Sequence, residues 1–116
     1  ANTWIGEYTM EMPNIRELNL LHSNICQALG DPKRIMILYA IHEEPRHVTA
    51  LAKSLGFPQP TVSRHLRILR QRALVRKERN GAAVVYHLAD TRIVDILDSM
   101  RLLLRDALNR QTSALA

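Results

Sequence analysis

Apolar residues recur along this chain at three- and four-residue steps in five segments and at two-residue steps in one, and each pattern predicts an element. A first helix starts at the cap Asn14 and puts Ile15, Leu18, Leu21, Ile25 and Leu29 on one face, with Gly30 closing it. Asp31 then caps a second helix with Pro32 in its first position, where the missing N–H does no harm. Residues Ile35 to Ile41 make that helix apolar almost all round, so it is expected to be the buried middle of the fold. Glu43-Glu44-Pro45-Arg46 reads as a surface loop. A third helix begins at Thr49, whose hydroxyl suits a cap, carries Leu51, Ala52 and Leu55 on one side, and ends at Gly56. The fourth runs from about Pro60 to Arg72 with Val62, Leu66 and Leu69 as its stripe. Leu74 and Val75 open a strand, Asn80-Gly81 supplies two φ > 0 residues for a type I′ hairpin, and Val84, Tyr86 and Leu88 alternate along the return. Asp90 or Thr91 caps a last helix bearing Ile93, Ile96, Leu97, Met100, Leu103, Leu104, Ala107 and Leu108.

The order α-α-α-α-β-β-α, mainly helical with a small hairpin, is that of a winged helix-turn-helix. The polar residues left on the fourth helix, Gln59, Thr61, Ser63, Arg64, His65, Arg67 and Arg70, are expected to face solvent. Short hydrogen-bonding groups near the helix start suit base edges in a major groove, and the cations suit flanking phosphates. Gln59, Thr61 and Ser63 are therefore expected to carry base preference, Arg64 and His65 either task, and Arg67, Lys77 and Arg79 phosphate contact. Along the first strand Lys77 and Arg79 share a face, with Arg76 on the other.

Charge supports that reading. The 116 residues carry a net charge of +5, but residues 51–79 alone hold eight Lys/Arg against one Asp/Glu, whereas residues 1–50 hold four against six and residues 80–116 four against four. The whole excess lies on the helix-turn-helix and the first wing strand, as a phosphate-binding face requires. The partner expected is double-stranded DNA with an imperfect palindrome.

These residues also carry a resemblance. Ala28-Leu29-Gly30-Asp31-Pro32-Lys33-Arg34-Ile35, Leu55-Gly56, the run Gln59 to Leu66, Leu69-Arg70, Leu74-Val75, Asn80-Gly81 and Val85 to Asp90 resemble the ArsR/SmtB family of small dimeric repressors over about residues 15 to 110. The resemblance implies a homodimeric DNA-binding repressor, released from its operator by a metal ion, a metalloid, a redox signal or a small molecule. The alternative is a winged-helix module with a non-metal effector or a protein-binding role. Three departures stand out: Pro58 where the family's recognition helix has a capping serine, Ala73 in place of the glycine before Leu-Val, and Ala82-Ala83 in place of basic residues after the wing glycine.

A chain of this length is expected to form one domain at residues 14–110, with an N-terminal arm at 1–13 and a tail at 111–116. The arm contains Trp4, Ile5, Tyr8, Met10 and Met12, which either pack on the body of a dimer or belong to a partly ordered segment. Both terminal helices carry more apolar surface than a three-helix core needs. Ile15, Leu18, Ile25, Ile96, Met100, Leu103 and Leu104 are expected at a twofold dimer interface. Asp98 with Arg101, and Asp106 with Arg110, read as surface pairs.

A single cysteine, Cys26, excludes an intrachain disulfide framework and fits a reducing compartment, and no apolar run approaches a membrane span. The reading is therefore soluble and cytoplasmic. No Ser-His-Asp set, glycine-rich phosphate loop or carboxylate pair points to an enzyme.

For an effector, the family positions give little. His47 and Thr49 stand where thiolate-using members carry Cys-x-Cys, and Asp90, Arg92, Leu103 and Asp106 occupy the zinc-type positions of the last helix. No cofactor is assigned. His22 and Cys26, four apart on one helical face, are the remaining metal candidates, with His42 or His47 to complete a site. The alternatives are an ordinary small hydrophobe with a surface histidine, a reactive thiol, or an organic effector near Trp4 and Tyr8.

Overall fold

The computed structural model describes residues 11–115. Of the arm, Trp4, Ile5, Tyr8 and Met10 lie outside the described residues, and Met12 is exposed. Helix α1 spans residues 15–29 in three successive stretches, α-helical at Ile15–Leu21, π-helical at His22–Cys26 and α-helical again at Gln27–Leu29. Then follow α2 (Pro32–Glu43), α3 (Val48–Leu55), α4 (Gln59–Gln71), strands β1 (Val75–Asn80) and β2 (Ala83–Leu88), and α5 (Arg92–Leu115). The element order is the one the hydrophobic pattern predicts. Among the described residues no helix is long and apolar enough to cross a membrane.

Two predicted caps are present. Asn14 accepts from the Glu17 N–H at 2.9 Å and Asp31 from the Lys33 N–H at 2.8 Å, each satisfying a donor the first helical turn cannot. The cap of α3 is different from the expected one: Thr49 lies inside the helix, and the cap is His47, whose Nδ1 accepts from the Ala50 N–H at 3.3 Å. Gly56 ends α3 at φ +71°, the left-handed conformation that favours glycine. Helix α4 has no side-chain cap. Its first donors are instead met by the Pro58 carbonyl, which accepts from Thr61 at 3.0 Å and Val62 at 3.2 Å.

The far end of α4 explains one departure. The Ala73 N–H reaches the Arg70 carbonyl and the Leu74 N–H the Leu69 carbonyl, both at 3.0 Å, which is the Schellman pattern. That pattern needs a left-handed residue, and Ala73 takes it at φ +62°. A glycine there would carry no Cβ penalty.

The hairpin pairs Val75 with Leu88 through Asn80 with Ala83, so Asn80 is the last strand residue and Gly81-Ala82 form the loop. Only Gly81 in this turn has positive φ, at +66°. Glycine in the first of two loop positions is the type II′ arrangement, not the expected type I′ with Asn80 and Gly81 both left-handed. The loop after α2 is also more ordered than its composition suggests. Arg46 exchanges both backbone hydrogen bonds with Tyr86, at 2.8 and 3.4 Å, adding a one-residue third strand to the wing.

Ile37, Leu38 and Ile41 from α2 form the centre of the core, covered by Leu51 and Ala52 of α3, Val62, Leu66 and Leu69 of α4, Leu74, Val75, and Ile93 and Leu97 of α5. Helix α2 is not buried all round, because Met36 on its outer face is half exposed. The π-helical turn of α1, which periodicity does not reveal, coincides with a side chain competing for backbone: the Asn24 amide donates to the Leu20 carbonyl at 2.9 Å, the acceptor its own N–H would use in an α-helix.

The terminal helices leave the body. From Asp98 to the last described residue, every residue of α5 except Ala107 is exposed, and the helix continues to Leu115, past the boundary at 110 read from the sequence. The radius of gyration is 17.1 Å. A compact chain of this length has roughly 13 Å.

Candidate nucleic-acid interface

The position of α4 follows from its buried stripe. Val62, Leu66 and Leu69 are each 1% exposed or less, locked against the core. That rotation turns Gln59, Ser63, Arg64, Arg67 and Arg70 to solvent and leaves Thr61 half-buried. At the start of the helix the Thr49 hydroxyl lies 3.5 Å from the Gln59 side-chain oxygen, so α3 steadies the first of these groups.

His65 does not join them. It is 4% exposed, which corrects the expectation that it faces solvent. The reason is its register. Position 65 lies three after Val62 and four before Leu69, inside the apolar stripe itself. Its Nδ1 is 3.3 Å from Arg34 Nη1. The same guanidinium donates through Nε to the Ala28 carbonyl at 2.7 Å and through Nη2 to the Gln27 carbonyl at 2.9 Å, and lies 3.8 Å from Asp31. A guanidinium has only donors, so Nδ1 must accept and the ring must be neutral with its proton on Nε2. Burial pushes the His65 pKa below the ordinary 6.5; Arg34, Arg64 and Lys33 push the same way and Asp31 opposes them. Arg34 was not among the residues singled out from the sequence. Its nearest signal was its place in the Asp31-Pro32-Lys33-Arg34 run.

On the wing, cross-strand pairing sorts the cations as alternation predicts. Lys77 and Arg79 stand opposite Tyr86 and Val84 on one face, and neither has an ion-pair partner among the described residues. Arg76, on the other face, pairs with Glu78 at 3.1 Å, and Glu78 also meets His87 at 3.5 Å. Two of the wing cations are thus without an ion-pair partner among the described residues. The third is held by a carboxylate.

The apolar surface expected at a dimer interface divides. Ile15 is 72% exposed, Leu103 62% and Leu104 59%, and Leu18, Ile96 and Met100 are also exposed. Ile25 is half-buried against the chain's own core. Asp98 is more than a surface pair with Arg101: the Tyr39 hydroxyl donates to it at 2.5 Å while the Arg101 guanidinium lies 3.3 Å from it and 5.2 Å above the Tyr39 ring, tying α5 to α2. Asp106 meets Arg105 at 3.9 Å instead of the expected Arg110.

The zinc-type positions of the last helix do not fit a metal ion. Arg92 grips Asp90 through Nη2 at 2.7 Å and through Nε, which reaches both carboxylate oxygens at 3.1 Å, and its backbone N–H adds a fourth bond at 2.9 Å. These bonds hold the Asp90 pKa at about 2, so the carboxylate is ionised but already paired with a cation. Leu103 offers no ligand atom. Cys26 and His22 are exposed on the π-helical turn. Among the described residues of one chain no three His, Cys, Asp or Glu side chains converge as metal ligands, so His42 and His47 do not complete a site there.

Known proteins share this arrangement. Residues 31–77, from the cap of α2 to the middle of β1, match the pattern described as "Bacterial regulatory protein, arsR family". The HTH-type transcriptional regulator NmtR of Mycobacterium tuberculosis is 44% identical over 72 residues, 62% of this chain and 60% of that protein, so the chain spans less than two thirds of that relative. MJ1325, an uncharacterized HTH-type transcriptional regulator of Methanocaldococcus jannaschii, is 36% identical over 65% of this chain and 85% of its own length. Among solved structures, M. tuberculosis Rv0081 superposes with a TM-score of 0.73 at 29% identity, covering 82% of this chain and 96% of that one. With the fold, the matched segment and these relatives in agreement, the chain belongs to the arsR family of bacterial regulatory proteins.

Proposed function

We propose that the protein is a homodimeric transcriptional repressor that inserts α4 into the major groove of an imperfectly palindromic DNA operator. The observation that carries this reading is the exposed row Gln59, Ser63, Arg64 and Arg67 on a helix whose opposite stripe is wholly buried, so that one rigid surface offers both base-reading and phosphate-binding groups. Gln59, Thr61 and Ser63 read bases, and Arg64 works at either base or backbone. Arg67, Lys77 and Arg79 hold phosphate, which fixes register without carrying sequence information. The exposed apolar faces of α1 and α5 support dimerisation, since leaving Ile15, Leu103 and Leu104 in water costs far more than burying them against a second copy. Catalysis has no support here: Ser63 faces solvent and His65 the interior, so they form no nucleophile pair.

Selection of duplexes from random DNA, paired with sedimentation at micromolar concentration, tests the reading. A dimer and a two-half-site sequence with centres about 34–36 Å apart are expected. A monomer, or selection without any sequence consensus, sinks it.

A further inference from the structure

The recognition helix is seated by a part-buried polar contact as well as by its apolar stripe. Arg34 lies between the end of α1 and the inner side of α4, with the Ala28 and Gln27 carbonyls on one side and His65 Nδ1 on the other. We propose that His65 is a positioning residue of the DNA-binding surface that acts only as the neutral ring: through Arg34 it fixes α4 on the end of α1, and its protonation unseats the helix and weakens specific DNA binding. The proposal rests on the DNA-binding reading above. Protonation replaces the Nδ1 lone pair with an N–H aimed at a guanidinium, so a hydrogen bond becomes a contact between two cations. The other charged groups facing the ring are Lys33 and Asp31 at the start of α2 and Arg64 on α4 itself. Asp31 alone favours the imidazolium, and it is already engaged by Arg34 and by the Lys33 N–H. Because α1 is also a proposed dimer helix, the strut sets where each recognition helix stands relative to its twin. Specific binding needs that spacing and non-specific binding does not.

The sign of the pH response separates this role from direct contact. A histidine touching phosphate would gain charge on acidification and raise affinity. A positioning histidine that must be neutral lowers it. Measured at constant salt on the duplex recovered by the full chain from random DNA, affinity is expected to fall about tenfold from pH 7.5 to 5.5, while affinity for random duplex holds or rises. The His65→Asn variant places an amide oxygen near the Nδ1 position, accepts from Arg34 and does not titrate, so its specific affinity is expected to stay level over that range. Ring NMR of the wild-type chain without DNA gives a readout that survives any folding defect in the variant. His65 is expected as the Nε2–H tautomer with a midpoint below 6.5, and amide signals of α4 and of Gln27 and Ala28 should move with that midpoint. A ring that titrates without moving those signals, or a specific affinity that stays flat or rises in acid, overturns the proposal alone. Recovery of no duplex at either pH removes the DNA-binding reading and this proposal together.

Discussion

The helix-turn-helix body and the terminal helices use the same residue types, with opposite outcomes. In the body, Leu51, Leu66 and Leu69 are buried to within 1% and every one meets its neighbours inside one chain. On α1 and α5, Ile15, Leu103 and Leu104 are more than half exposed although their periodicity is equally regular. A hydrophobic stripe therefore specifies that a face will be covered and leaves open whether the cover comes from the same chain. The body is buried within one copy; the termini leave their apolar stripes exposed in it.

Substitutions that act on one region and spare the other sharpen this contrast. The largest effect is expected from Leu103→Asp. A twofold interface receives the buried charge twice, and roughly 3–5 kcal/mol of association free energy should be lost. Sedimentation should show monomers with the helical circular dichroism of the body retained, and a dimer of unchanged affinity would show that α5 does not carry the interface. Leu66→Ala acts in the other region. It should lower unfolding free energy by roughly 2–5 kcal/mol in denaturant titrations by leaving a cavity under α4. Equal loss from Leu103→Ala measured on the monomer would erase the distinction between the two stripes.

Within the body the proposed DNA-binding face is expected to divide again, between sequence reading and charge. Ser63→Ala should cost about 1–3 kcal/mol on the selected duplex and little on random DNA, whereas Arg79→Ala should weaken both alike and reduce the salt slope by about one. Binding isotherms across salt concentrations check this, and equal losses for Ser63→Ala on both duplexes contradict it. The smallest effect is a gain. Ala73 is exposed and left-handed, so Ala73→Gly removes strain without removing buried surface and should stabilise the chain by about 0.5–1 kcal/mol. A lower melting temperature would mean that the methyl group contributes packing this geometry does not reveal.

Element order, the Asn14 and Asp31 caps, the stripe of α4 and the sorting of wing cations were all legible in the residues, because each depends on spacing within one segment. Where one-dimensional reading failed, a turn of the folded backbone or a second segment had intervened. Thr49 has the chemistry of a cap, but the backbone turns two residues earlier and His47 takes the position. Arg46 reads as loop until Tyr86 arrives beside it, 40 residues along the chain, with a free N–H and carbonyl. Arg92 stands two residues from Asp90 in any conformation, yet only the turn into α5 closes the grip that takes the carboxylate out of service.

His65 holds both lessons. Its spacing placed it in the buried stripe beside Val62, Leu66 and Leu69, and its polarity argued for water. Local periodicity decides which way a side chain points, and that much was determined by the sequence itself. Whether a polar group can stay where it points depends on a partner, and the partner is Arg34, 31 positions away and in reach only after α2 packs beneath α4. Burial of a polar ring costs free energy unless a hydrogen bond meets it, so the tertiary structure alone decided that this histidine stays buried against Arg34 instead of facing solvent.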